Sequence, residues 1–275
     1  MTTVAALLVT RDAARWLPAL LDSIAAQSRQ PDLRVAVDDG STDGTRDLLR
    51  ASGFQVVPSS TAATDTVTRI AHNFAQGVQA CAACDVVVLG DHDDVWHRDR
   101  VAHQVEALER GPEALLVASD GRIVDASGVP TAGTLRSGFP VPAGWEGMSP
   151  AQRMAAALRV SVATGGASAM RPAAFPDLDV PAGWLHDRWW SLVALARDGL
   201  VVDDRAVIDY RVQPGQEVGL DRAAQGAGLV GRVGALLRDG GRSWAKARDL
   251  RTRLRPLAAT PAIAEAITVR NALRC

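Results

Sequence analysis

Two acidic clusters carry the residue types best suited to chemistry. In Asp91-His92-Asp93-Asp94, the pattern Asp91-x-Asp93 offers two carboxylates separated by one residue. Mg2+ and Mn2+ prefer oxygen ligands and often take only one or two protein carboxylates, leaving their other positions to phosphate and water. Such an incomplete site would counter the concentrated charge of a diphosphate. Taken alone, the same residues are more simply a solvated acidic turn capping a helix that begins near Trp96. The earlier cluster, Asp38-Asp39-Gly40-Ser41, is by itself open to a second reading as an ordinary turn.

The elements that must position these clusters follow from hydrophobic periodicity. Residues 4–10 are a short apolar run without helical period, and residues 16–26 then place Leu17, Leu20, Leu21 and Ile24 at helical spacing. A second strand at 35–37 ends on Asp38-Asp39, and a turn at Asp43-Gly44 leads into a helix over 45–51. A third strand at 54–57, a helix over 66–80 and a fourth strand at 85–89 follow, the last running straight into Asp91. This alternation predicts a mainly parallel sheet with right-handed crossovers, in which ligands sit beyond the carboxyl ends of the strands. Both acidic clusters then converge on one crevice.

Farther along, strands are expected at 114–119 and 122–124, and a Gly- and Pro-rich loop or lid at 126–148. Ser149 caps a helix to residue 159, residues 162–170 form a strand interrupted by Gly165-Gly166, a helix spans 187–197, and residues 200–211 hold one or two strands. Gly165 and Gly166 permit either close approach of backbone to a ligand or a bulged strand. Three helices are expected after Asp221, with breaks at Gly240-Gly241 and residues 256–261.

An ordered set of motifs extends this reading. Asp38-Asp39-Gly40-Ser41-Thr42-Asp43-Gly44-Thr45, Asn73-Phe74, Asp91-His92-Asp93-Asp94-Val95-Trp96, His186-Asp187-Arg188-Trp189-Trp190 and Tyr210-Arg211 follow one another along the chain. The set resembles the family 2 glycosyltransferases, particularly their rhamnosyltransferase-like branch, where the motifs read D-D-G-S-T-D-x-T, N-F, S-D-Q-D-D-V-W, H-D-W-W and Y-R. The resemblance runs over residues 4–219. It implies an α/β chain of GT-A fold over 1–219 with a mainly parallel central sheet, followed by a basic helical C-terminal region over 220–275. It also implies an inverting transfer from a dTDP- or UDP-linked sugar to an acceptor hydroxyl in cell-surface polysaccharide or glycoconjugate synthesis.

The resemblance assigns roles residue by residue. Asp39 would accept the imide N–H of a pyrimidine-type base with Asp38 in support, and Thr10 ends the strand that touches the nucleotide. Asp91 and Asp93 would meet ribose and a Mg2+ or Mn2+ ion, while Asp94 and Trp96 shape their loop. Asp187 matches the aspartate that takes the acceptor proton, although an aspartate opening a helix is also an ordinary cap. His186 would orient that base or line the acceptor site, Gly166 would let the ligand approach, and Arg211 would meet the diphosphate.

Two positions depart from the pattern. Relatives continue the first strand into a Thr-Tyr-Asn type turn, whereas Arg11-Asp12 follow Thr10 here; Arg11 is read as solvated in preference to phosphate-bound. Relatives also place a His two residues after Tyr-Arg, where this chain has Gln213, a neutral amide that still offers oxygen to a hard cation.

Composition narrows the setting. The 275 residues carry a formal net charge of −1, so nothing in the overall charge suggests a nucleic-acid partner. Residues 222–275, however, hold eleven basic and three acidic side chains. That region is expected to pack on the core through Leu229, Val230, Val233, Leu236 and Leu237, to contact a partner protein, or to lie against an anionic membrane. Cys81, Cys84 and Cys275 cannot all pair, and Cys81-x-x-Cys84 lacks a second ligand pair for zinc, so plain packing in a reducing compartment is expected. With no long apolar run the chain reads as cytoplasmic, with the inner membrane face as a peripheral site. Acceptors of such a transferase are glycans, lipid-linked sugars or small molecules. Two alternatives remain: a catalytically degenerate nucleotide-sugar or partner binder, and a nucleotidyltransferase, for which the segment Val9-Thr10-Arg11-Asp12-Ala13 lacks a Gly-rich basic loop.

Overall fold

The computed structural model describes residues 1–111, 113–213 and 244–272. Its first half is the alternation expected: β1 (Val4–Thr10), α1 (Leu17–Ala25), β2 (Leu33–Asp38), α2 (Thr45–Ala51), β3 (Gln55–Pro58), α3 (Thr66–Ala80) and β4 (Val86–Asp91). These strands lie parallel in the order β3-β2-β1-β4. Alternate residues of β1 serve opposite faces: Val4, Ala6 and Leu8 pack with α1, while Ala5 and Leu7 pack with α3. The α3 face carrying Ala71, Phe74, Gly77 and Val78 is buried, and a Cβ on Gly77 would collide with the Leu7 side chain. Glycine there sets how closely helix and strand approach.

Beyond β4 lie β5 (Val95–Trp96), α4 (Arg100–Glu109), β6 (Leu116–Val124), β7 (Pro130–Thr134), α5 (Leu135–Gly138), α6 (Pro150–Ala157), β8 (Ser168–Met170), α7 (His186–Ala196) and β9 (Leu200–Arg211). β8 is antiparallel to both β4 and β6, and β9 runs parallel to β6. Several elements differ from the sequence reading. The two strands expected at 114–124 are one strand whose pairing with β9 shifts near Asp120, where Gly121 lets Ile208 and Leu135 crowd the backbone. Part of the expected lid is the strand β7, paired with β6, together with α5. The helix expected near Trp96 starts at Arg100 instead, because Val95-Trp96 pair with Asp209 and Ile208.

Ser149 caps α6 as expected, accepting from Gln152 in a capping box. Cys81 and Cys84 are buried free thiols. Of the basic C-terminal region, residues 244–272 are described: Leu250, Leu254, Ile263 and Ile267 are buried in the same core as α7. The apolar residues 229–237 and the break at Gly240-Gly241 lie outside the described residues. Among those described, no helix is long and apolar enough to cross a membrane.

Candidate active site

β1, β2 and β4 end side by side, with Thr10 opposite Asp38 and Val9 opposite Asp91. A cleft of about 570 Å3 opens over these ends. Its walls include Thr10, Arg11, Asp39, Arg69, Asp91, Asp93, Gly165, His186, Asp187 and Gln213. The two acidic clusters meet at neighbouring strand ends, as the parallel topology requires, and the first turn of α7 brings His186 and Asp187 to the same cleft.

At one end, Asp39 carries an ion pair to Arg69 at 2.9 Å and a longer one to Arg11 at 3.6 Å. Arg11 is thus half-exposed but engaged by Asp39. Asp38 lies under the wall: its carboxylate takes the Ser41 N–H at 3.1 Å and the Arg46 Nε–H at 2.6 Å. Burial acts to raise its pKa, yet these hydrogen bonds and the Arg46 charge outweigh burial and hold it below the usual value. Asp38 is a support for the Ser41 turn, and Thr10 is buried beside it.

The centre of the cleft is acidic. Burial, then the neighbouring Asp93 and Asp187 charges, push the Asp91 carboxyl up to about 7. The same causes, burial first and then Asp93 and Asp91, raise Asp94 well above its ordinary value, and its Oδ2 is buried without a hydrogen-bond partner. A Cβ on Gly166 would stand 2.6 Å from Asp94 Oδ2 and 2.7 Å from Asp91 Oδ2. Only glycine leaves both carboxyls room there. Beneath them Arg100, 1% exposed, stacks over Trp96 at 4.1 Å and donates to the Leu89 carbonyl. Burial lowers its pKa to about 9, so it remains a cation at neutral pH. Sequence reasoning did not single out Arg100 or Arg69, because neither belongs to a local motif; each acts through contacts across the fold.

This arrangement fits a hard divalent cation. Among the described residues no group of three His, Cys, Asp or Glu side chains surrounds a metal position. Two carboxylates with crowded negative charge, Asp91 and Asp93, suit an ion whose remaining positions go to phosphate and water. Gln213 donates its amide to Asp93 Oδ2 at 2.9 Å. Arg211 does not reach the cleft: its Nε donates to the Asp93 carbonyl at 2.9 Å, its Nη1 to the Ala126 carbonyl at 3.0 Å, and its backbone N–H to Asp94 at 3.2 Å. It braces the acidic loop, leaving no described geometry toward a diphosphate.

Asp187 sits in the first turn of α7, yet it does not cap the helix; Leu185 holds that position. Its Oδ2 accepts the Gly165 N–H at 3.0 Å and its Oδ1 the Arg188 N–H at 2.6 Å. Burial raises its pKa against these bonds. His186 is 4% exposed, stacked on Phe74 with centroids 3.7 Å apart and edge-on to Trp190. Neither ring nitrogen has a hydrogen-bond partner, and burial pushes the imidazole down to about 3, so it is neutral. Gly165 is packed so closely against the ring that a Cβ there would collide with Nε2. The expected strand at 162–170 therefore begins as a short turn at Gly165–Ala167.

The sequence profile of the family described as glycosyl transferase family 2 matches residues 6–178. Among solved structures, glucosyl-3-phosphoglycerate synthase from Mycobacterium tuberculosis, in complex with phosphoglyceric acid, is similar at 21% identity and TM-score 0.54, covering 87% of this chain and 80% of that one. The same synthase with Mn2+, uridine diphosphate and glucosyl-3-phosphoglycerate gives 20% identity and TM-score 0.53 over the same shares. TarS from S. aureus in complex with UDP matches at 16% identity and TM-score 0.53, covering 98% of this chain and 89% of that one. No curated protein sequence matches the chain. The architecture is that of the GT-A fold.

Proposed function

Because the chain belongs to glycosyl transferase family 2, we propose that this glycosyltransferase moves a sugar from a dTDP- or UDP-linked donor to an acceptor hydroxyl with inversion at the anomeric carbon. The observation that carries this reading is the shared cleft: Asp39 at one end, Asp91 and Asp93 at the centre, Asp187 beyond. Asp39 accepts the imide N–H of the base, exchanging part of its pairing with Arg11 and Arg69 for it. Asp91 and Asp93 would hold Mg2+ or Mn2+, which supplies charge to the departing diphosphate.

Asp187 is the base. Its carboxylate is anchored by the Gly165 and Arg188 amides, and it removes the acceptor hydroxyl proton as that oxygen attacks the anomeric carbon from the face opposite the leaving group. His186 and Gly166 line and clear the same space. The setting is cell-surface polysaccharide or glycoconjugate synthesis in the cytoplasm, with the basic C-terminal region resting on the anionic inner face of a membrane. The acceptor is a glycan, a lipid-linked sugar or a small molecule.

A panel of dTDP- and UDP-sugars, assayed by calorimetry and by nucleotide release with and without Mn2+, tests the reading. Binding of one donor and its turnover with acceptor are expected; no binding by any donor sinks it. The Gln213–Asp93 hydrogen bond favours one second reading, a protein that binds nucleotide sugar without turnover. Donor binding with no hydrolysis or transfer under any metal would support that alternative.

A further inference from the structure

Asp187 lies in the first turn of α7, so its position depends on what holds the start of that helix. The segment over 175–185 leads into it from a short turn at Pro172–Ala174 and contains neither helix nor strand. No ladder of backbone hydrogen bonds therefore fixes the approach to the proposed base. Side chains from other parts of the chain do so instead: Thr68 of α3 accepts the Gly183 N–H at 3.2 Å.

Further ties come from residues 244–267. Asp249, 4% exposed, accepts the Trp184 indole N–H on Oδ2 at 3.2 Å, and Lys246 lies over the same indole at 5.1 Å. Arg253 pairs with Asp177 at 2.7 Å and with Asp179 at 3.2 Å. Ala259 holds the far end of α7, donating its N–H to the Ala196 carbonyl at 2.7 Å. The Arg253 pairs are partly exposed, and water screens them. The Asp249–Trp184 bond is buried and directional. Trp184 also packs on Trp189, with ring centroids 5.4 Å apart, so the bond holds both flanks of the turn that carries Asp187. That turn offers Asp187 Oδ2 to the Gly165 N–H. Burying a carboxylate costs free energy that an apolar side chain would not, and apolar replacements of buried polar pairs are often as stable or more so. Packing alone therefore does not account for an aspartate at 249.

We propose that Asp249 is a positioning residue for the transfer: through Trp184 it fixes the turn that sets Asp187 against the acceptor hydroxyl. The C-terminal region is then part of the catalytic unit. The inference rests on the reading of Asp187 as the base and adds a residue, distant in sequence, on which that base depends.

The full chain is tested as Asp249→Leu, Trp184→Phe, the two combined, and Asp249→Asn, which keeps an acceptor for the indole. Turnover is read as nucleotide release from the dTDP- or UDP-sugar that the parent uses. Calorimetry with the matching nucleoside diphosphate and Mn2+ counts the folded sites. Asp249→Leu should lower kcat about ten- to a hundredfold, the scale of a catalytic group displaced by about 1 Å, with diphosphate affinity and site number unchanged. Asp249→Asn should stay within about threefold of the parent. The combined variant should regain Tm, because both polar partners are gone, without regaining kcat. Parental kcat in Asp249→Leu or in the combined variant, a kcat that follows Tm through the series, lost diphosphate binding in Asp249→Leu, or an Asp249→Asn as slow as Asp249→Leu overturns the proposal and leaves the transferase reading standing. Undiminished turnover in Asp187→Asn removes the base and this inference together. Absence of nucleotide release by the parent from every donor overturns the transferase reading as well.

Discussion

Gln213 donates its side-chain amide to Asp93, Nε2 to Oδ2 at 2.9 Å, so one oxygen of a central carboxylate is already engaged by a neutral group. The remaining oxygen and Asp91 are left for a cation. Converting the amide to a carboxylate removes that donor and adds a negative ligand. Gln213→Glu should tighten Mn2+ binding about tenfold or more, since ligand charge tunes such sites. Electron paramagnetic resonance of free Mn2+ measures it, independently of activity. Unchanged or weaker binding would show that Asp93 does not ligate.

Under the proposed base role, Asp187 sets the acid limb of activity. A base must be ionised, and burial raises the Asp187 pKa above the ordinary aspartate value. Activity should therefore fall as pH drops through that raised value, at a higher pH than a solvated aspartate would give. Asp187→Asn should lower kcat by about 10²- to 10⁴-fold, while donor affinity measured by calorimetry stays within a few-fold. Undiminished turnover in the variant would remove Asp187 from the base role.

Asp91 works in the opposite sense on stability. A carboxyl whose folded pKa is raised to about 7 contributes stability that is fully present below its unfolded value of 3.8 and is lost as pH rises through 7. Without metal, Tm should therefore increase on acidification from pH 8 toward pH 5. Mn2+ should flatten that dependence by binding the ionised form. Scanning calorimetry across pH, with and without Mn2+, reads both effects; a Tm that rises with pH throughout this window would contradict the crowding of Asp91 by Asp93 and Asp187.

Arg100 is the buried cation beneath Asp91 and Asp94, and its removal leaves their charge uncompensated. Arg100→Leu should destabilise by about 3–5 kcal/mol. Adding Asp94→Asn in the same chain should recover part of the loss, because it deletes one of the stranded carboxyls. Urea unfolding of the four combinations gives the coupling; strictly additive effects would show that the two residues do not interact.

Gly166→Ala places a methyl group against two carboxyl oxygens at 2.6 and 2.7 Å. Both carboxyls belong to the acidic loop, where the Arg211 N–H holds Asp94 Oδ1 at 3.2 Å. The variant should lose about 1–3 kcal/mol of stability, the usual cost of overpacking, and a larger share of activity through displaced Asp91. Equal kcat/KM in variant and parent would mean that Asp91 stands outside the reaction.

The alternation of apolar runs and helical spacing through residue 91 was enough to place β1 to β4 and α1 to α3, because these elements are local in sequence and their faces are set by periodicity. Parallel order then required Asp38-Asp39 and Asp91-Asp93 to meet at the strand ends, which they do. The motifs likewise marked His186-Asp187 as a site. What only the tertiary structure decided were contacts between distant segments. Arg211 turned to carbonyls of the acidic loop, Arg69 and Arg11 closed on Asp39, Arg100 came to lie beneath the carboxyls, and Phe74 from α3 became the platform under His186. None of these pairings has a period or a short motif. Each depends on which side chain reaches which buried group once the sheet has formed, and burial then fixes both its partner and its charge.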